Sequence, residues 1–272
     1  MADGQRRNPV QALGAGVLGG LEYFGGMSIL LVKACHRAFM GLFTRREKFS
    51  RLGVAEQMVR LGIKSLPIVV LVQVFIGVIL ALQLTPPLAM YGQESQISAI
   101  IGVAGFRMLG PIITAVVLSG FAGASIAAEI GTMVVAEEIE AMTAMAVNPI
   151  RFLVVPRIMA TLIAMVLLSA VADLMIAFGG YLTARLVLGP YVYTPYWRYM
   201  RDILVYKDFY TGLIMAAVFG VLVSLIACHE GLKARGGAEG VGRATTMTVV
   251  YSIVAIIIAA CIFTVIFYVY KL

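Results

Sequence analysis

Five apolar runs decide what this chain can become. Leu66–Met90 contains no charged residue, residues 97–128 hold only Arg107, residues 210–228 and 247–270 hold none, and residues 153–188 hold only Arg157, Asp173 and Arg185. A hydrocarbon layer about 30 Å thick takes about 20 helical residues to cross. Each run is that long or nearly so, and an uncharged stretch of this length in water would have nothing to cover it. The run 153–188 is too long for one upright helix and short for a hairpin, so it reads as one tilted span with an extension. With 61% hydrophobic and 13% charged residues in 272, the chain departs from the soluble balance of about 25% charged. It is an all-α integral membrane protein with five transmembrane helices.

The charges that remain are topology signals. With the N-terminus inside, fifteen of the 21 Lys and Arg residues fall on one side, while Arg185, Arg198, Arg201, Lys207 and Lys271 fall on the other and Arg107 lies within a span. The positive-inside bias then places the N-terminus in the cytoplasm and the C-terminus outside. The net charge of +7 therefore needs no nucleic acid to explain it. Residues 27–43 group Lys33, His36 and Arg37 opposite Ile29, Leu31, Ala34, Ala38 and Leu42, the pattern of an N-terminal interfacial amphipathic helix. Arg6 and Arg7 precede a glycine-rich apolar stretch, but Glu22 interrupts it and no polar cleavage region follows, so it is expected to stay attached. Residues 1–65 thus read as a cytoplasmic and interfacial region and 66–272 as the membrane domain.

Between the second and third runs lies AAEIGTMVVAEEIEAMTAMAVNPIRFLVVPR, residues 127–157, with Glu129, Glu137, Glu138 and Glu140 close together. Carboxylates are costly in hydrocarbon, so this segment either lines an ion path or lies outside the bilayer facing a partner. Helical spacing puts Val135, Ile139, Met142 and Ala146 on one face and Glu137, Glu140, Ala141 and Ala144 on the other, and Asn148-Pro149 stops the pattern. The expectation is one short amphipathic cytoplasmic helix over about 127–148.

Motifs for chemistry are missing. No GxxxxGK[ST] occurs, so nucleotide phosphates would have to be held by another subunit. GLKARGGAEGVGRATT, 231–246, fails the GxGxxG spacing and reads as a compact turn with Thr245 or Thr246 capping the last helix. Cys35, Cys228 and Cys261 are odd in number and scattered, His36 and His229 are isolated, and Ser125 has no histidine deep in a span to act as its base. No metal site is expected. The small residues of SGFAGASIAA, 119–128, suit close helix packing. Arg107, ahead of the Pro111 break, and Asp173 are the intramembrane ionisable groups, and such groups point to a polar cavity or an anionic ligand.

FIGVILALQ (75–83), FRMLGP (106–111), the acidic segment 127–157 and GGAEGVGRATT (236–246) occur in the order found in the MlaE/YrbE permease family. The chain resembles that family from about Arg45 to its end. The resemblance implies the permease subunit of an ABC-type intermembrane phospholipid transporter of the Mla/Mce kind, in the bacterial inner membrane. It implies a homodimer, cytoplasmic ABC ATPase subunits that bind ATP and Mg, and a periplasmic MCE-domain lipid carrier, with no cofactor in this chain and no enzyme activity of its own. Segment 127–148 would be the coupling helix, meeting the ATPase through Glu129, Val135, Glu137, Glu138, Ile139, Glu140 and Met142. By the same resemblance Leu80, Gln83, Leu84, Leu88, Tyr91, Arg107 and Leu109 would line the lipid pocket. Met108, Phe121 and Met247 stand where many members carry Glu, Arg and Arg, which puts headgroup selectivity in question. An ion-coupled secondary transporter using Arg107 and Asp173 without an ATPase is the alternative, although no internal repeat supports it.

Overall fold

The computed structural model describes residues 9–43 and 51–270. Arg6, Arg7, Arg45, Arg46, Lys48 and Lys271, which contribute to the charge count above, lie outside the described residues. Two units are distinguished, one up to residue 49 and one from residue 50 onward. The first is the helix α1, Pro9–Phe43. It is longer than the amphipathic stretch 27–43 and runs through Glu22 and the glycines. Once a helix is nucleated, each added residue contributes a hydrogen bond for one residue fixed, so weak formers are carried along.

Among the described residues the second unit is also helical, with no strand. Helix α2 (Arg51–Leu61) passes through a tight turn at Ile63–Ser65 into α3 (Leu66–Met90). After a short turn come α4 (Ile97–Ala104), α5 (Gly110–Leu118) and α6 (Ala124–Val135), joined by wide π turns at Gly105–Leu109 and Ser119–Gly123. The short α7 (Glu138–Ala144) leads through a third π turn, Ile150–Val154, into α8 (Val155–Thr183). A fourth π turn, Ala184–Leu188, precedes α9 (Pro190–Tyr193) and α10 (Tyr196–Ile203). Helices α11 (Tyr206–Leu232) and α12 (Gly237–Val269) complete the chain.

Five helical stretches are long and apolar enough to cross a membrane: Gly53–Met90, Glu94–Val135, Ile150–Leu188, Tyr206–Leu232 and Gly237–Val269. The run 153–188 is one helix, as its length and composition suggest. Helix α8 is the centre of the bundle, packing along α3, α11, α2 and α5, while α11 also packs on α12, α6 and α5. Close approach of α3 and α8 requires glycine on both sides. A Cβ at Gly77 would overlap the Ile176 carbonyl oxygen, and one at Gly179 would overlap that of Val74. The small-residue stretch 119–128 also packs closely, with Gly123 against Val223 of α11 and Thr248 of α12.

Two sequence expectations need correction. Residues 127–148 do not form one helix: α6 carries the second span on to Val135, and the chain breaks at Ala136 and Glu137, where Glu137 has φ 59°. The helical face counted from Val135 to Ile139 is therefore interrupted, because a left-handed residue reorients everything after it. Nor do Thr245 and Thr246 cap the last helix. Helix α12 already starts at Gly237, behind Gly236 and Gly237 with φ 88° and 72°, and both threonine hydroxyls donate back to the Gly242 carbonyl, at 2.7 and 3.1 Å. Asn148 does more than stop a helix. Its side-chain oxygen accepts the Arg151 N–H at 3.3 Å ahead of the third span, with Pro149 at the position where a missing N–H does no harm.

Candidate functional site

The second span places charge near both its ends, and the sequence-predicted residues divide between them. At the end carrying α10, Leu80, Leu84 and Leu88 recur every four residues along α3 and so share one face. With Leu109 they pack partly buried against a cluster that includes Ile97, Ile101, Phe106, Ile176, Tyr196 and Met200. Gln83 lies about 100° around the helix from Leu84 and is exposed, beside exposed Ile79 and Leu82. Tyr91 is also exposed, because α3 ends at Met90 and Gly92 turns the chain with φ 65°.

Arg107 sits in the first π turn, just ahead of the break that Pro111 imposes. Its Nη1 lies 3.7 Å from Asp208 Oδ1, and its Cζ lies 5.7 Å from the centre of the Phe267 ring. At that distance the pair attracts as charges rather than as a short hydrogen bond. Asp208 is itself held, since its Oδ2 accepts the Val205 N–H at 3.2 Å in the first turn of α11. Nearby, Phe106 and Phe209 stand with ring centres 6.2 Å apart and help line a groove of about 500 Å³ with Trp197, Met200, Arg201 and Tyr206.

The outer wall of this cluster was not anticipated. Helix α10 buries Tyr196 and Met200 and exposes Arg198 and Arg201. The Tyr196 hydroxyl donates to the Ala177 carbonyl at 3.1 Å, and burial pushes its ionisation above the ordinary tyrosine range. The signal was the spacing of Tyr196 and Met200 within a polar octapeptide. Asp208 lies just ahead of the apolar run 210–228, and the structure places it in the first turn of α11, where a carboxylate is favoured.

Asp173 lies at the junction of the first three spans. Both carboxylate oxygens are buried without a hydrogen-bond partner, and a Cβ at Gly110 would overlap one of them. Close by, Gln73 donates to the Gly110 carbonyl at 3.2 Å and to Thr114 Oγ1 at 2.9 Å. Among the described residues no three His, Cys, Asp or Glu side chains gather as a metal site.

At the other end of the bundle, Glu138 and Glu140 are exposed in the first turn of α7, and Ile139 and Met142 are half-buried. Val135, Glu137, Ile139 and Glu140 line a groove of about 510 Å³ whose far wall is Leu232, Ala234, Arg235, Gly236 and Gly237. Two separate sequence motifs, the acidic segment and the glycine-rich turn, thus meet in one surface. Glu129 is not part of it. It lies in α6, where Oε2 meets Arg157 Nη2 at 3.0 Å and Oε1 meets Arg60 Nη2 at 2.5 Å.

Of the residues that depart from the family pattern, Met108 and Phe121 are exposed in the two π turns of the second span. Met247 lines a cavity of about 270 Å³ with Lys233, Arg235, Arg243 and Tyr251.

Fold and site define a polytopic, all-helical membrane protein. The family described as Permease MlaE matches residues 54–266. The chain is 37% identical over 218 residues to a probable ABC transporter permease protein of Rickettsia prowazekii, covering 79% of this chain and 83% of that one. A protein of Synechocystis with the same description is 33% identical over 212 residues, or 78% of this chain and 80% of its own. The chloroplastic protein Trigalactosyldiacylglycerol 1 of Arabidopsis thaliana is 32% identical over 208 residues, covering 75% of this chain and 58% of its own. The chain belongs to the MlaE permease family.

Proposed function

We propose that this permease is the membrane subunit of an ABC transporter that moves phospholipid or a related lipid between the inner and outer membranes. It acts as a homodimer with separate ATPase subunits and an MCE-domain lipid carrier. The observation that carries this reading is the family match over residues 54–266, which takes in both candidate sites. Rickettsia and Synechocystis relatives are described as ABC transporter permeases, and the Arabidopsis relative is named for a galactosyl diacylglycerol.

The geometry supports the reading in two places. The leucine face of α3 offers acyl chains an apolar wall, and Arg107 stands within the same end of the bundle as a cation for a phosphate. The groove between α7 and the 232–237 turn offers a partner acidic and apolar contacts together. On this reading α7 faces the cytoplasm and α10 the periplasm. The exposed row Phe75, Ile79 and Leu82 on α3 then faces the second protomer across the lipid pocket. ATP and Mg sit on the ATPase, and their binding closes the dimer only insofar as the closed form binds them better.

Purification of the tagged chain from its native membranes tests this. A P-loop ATPase and phospholipid are expected to co-purify, by mass spectrometry of the protein and lipid fractions. A preparation of this chain alone that transports lipid or an ion down an ion gradient would overturn it.

A further inference from the structure

We propose that Glu129 works inside the chain, as the fixed point of a latch. Its contact with Arg60 positions the first span according to the movement of α7, while its contact with Arg157 holds the third span. This rests on the function proposed above and gives Glu129 a different role from the α7 carboxylates. Both of its oxygens are engaged by basic groups of the same protein, and its side chain is 20% exposed. That leaves little of the carboxylate to meet a partner.

The two arms of the latch differ. Arg157 is nearly buried, with its side chain 7% exposed, and it also donates through Nη1 to the Leu153 carbonyl at 2.9 Å. Separating it from Glu129 would strand a buried charge, so this arm stays closed. Arg60 is half exposed, at 50%, and its bond to Glu129 is open to water and salt, so it opens at little cost. Ser125 Oγ donates to the same Oε1 at 3.3 Å and keeps the carboxylate oriented when Arg60 leaves.

Each residue is connected to one moving part. Glu129 lies on α6, which ends at Val135, and only the Ala136–Glu137 break separates it from α7, so a push on α7 reaches the carboxylate across that short link and the last turns of α6. Arg60 lies on α2, which is joined to α3 through the tight turn at Ile63–Ser65. Such a change of helix type within a long helix is a place for bending. Helix α3 carries Leu80, Leu84 and Leu88. The path therefore runs from α7 through Glu129 and Arg60 to the leucine face, with α8 held by the second arm.

The test uses the complete transporter, reconstituted in phospholipid vesicles, with ATP hydrolysis and lipid movement measured separately for wild type, Arg60→Gln and Arg60→Lys. Arg60→Gln is expected to assemble and hydrolyse ATP as wild type does, while lipid moved per ATP falls about threefold to fivefold, the range a part-exposed pair can carry. Arg60→Lys is expected to restore most of it. Unchanged lipid per ATP in Arg60→Gln would overturn the latch, and so would a parallel fall in assembly, hydrolysis and transport, which marks a merely structural role. A wild-type complex that moves no lipid with ATP would defeat the functional reading instead. The latch is then judged by spin-label distances between Glu56→Cys and Ala136→Cys, in a background without Cys35, Cys228 and Cys261. Arg60→Gln is expected to broaden them, and an unchanged distribution would overturn the proposal.

Discussion

At the α10 end of the second span one arginine, Arg107, meets one carboxylate, Asp208, at 3.7 Å with its side chain 34% exposed. At the α7 end one carboxylate, Glu129, meets two arginines at 2.5 and 3.0 Å, one of them almost buried. The same helix thus carries a loose pair at one end and a tight, three-membered cluster at the other. A loose, part-exposed pair leaves a cation able to exchange its partner for another anion at small cost. A tight, buried pair resists exchange, because opening it exposes an uncompensated charge to an apolar interior. The difference teaches where ligand contact and where mechanical connection are to be sought: the first end suits binding, the second suits transmission.

The largest effect should come from breaking the tight end. Glu129→Ala strands the nearly buried Arg157 guanidinium with only its bond to the Leu153 carbonyl, and should lower stability by about 3–5 kcal/mol. Reversible unfolding in detergent checks this, and a change within measurement error would mean the buried pair is not holding α6 to α8. Next, Glu137→Lys with Glu140→Lys should weaken recovery of the ATPase while membrane insertion and yield stay as in wild type. Undiminished recovery of the ATPase would take the α7 groove out of the coupling surface.

At the loose end the effects should be smaller on stability and specific to ligand. Arg107→Ala should reduce lipid photocrosslinking from positions 84 and 91 several-fold, yet cost only about 0–1 kcal/mol, as expected for a part-exposed pair. If crosslinking persists while stability collapses, the two ends are alike and the contrast fails. The smallest effect belongs to Phe267→Leu, which keeps an apolar side chain but removes the ring under Arg107. A loss of about 0.5 kcal/mol, no more than that of Arg107→Ala, is expected in the same unfolding assay. A larger loss would make Phe267 a packing residue first.

Much of the architecture was legible because the relevant forces are local along the chain. Each span announces itself by length and lack of charge, and the five structural spans cover the five apolar runs, apart from Tyr270 at the end of the last. The helix ends were less legible. Val135, Glu137 and Ile139 fit one helical wheel, yet the backbone turns left-handed at Glu137, a choice that hydrophobic spacing does not record. The glycine-rich run 236–246 reads as a loop by composition, but most of it is helical, and a side chain at Gly240 would strike the Arg235 carbonyl.

Of the candidate site residues, Leu80, Leu84 and Leu88 came from the family resemblance, and the structure puts them on one face because they recur every four residues along a single helix. Leu109 joins them from another helix, and Gln83 and Tyr91 lie outside the packed face, which only the assembled bundle could decide. Asp208, as the partner of Arg107, was hidden for the same reason.

The sequence by itself determined the class of protein, the number and order of its spans and the places where charge interrupts them. These follow from hydrophobicity and spacing, which are properties of neighbours in the chain. Tertiary structure alone decided which charges are paired. Glu129 finds Arg157 28 residues away and Arg60 on a different helix, because packing brings α2, α6 and α8 side by side. A charge is stabilised by whatever lies within a few ångströms of it, and sequence distance says little about that.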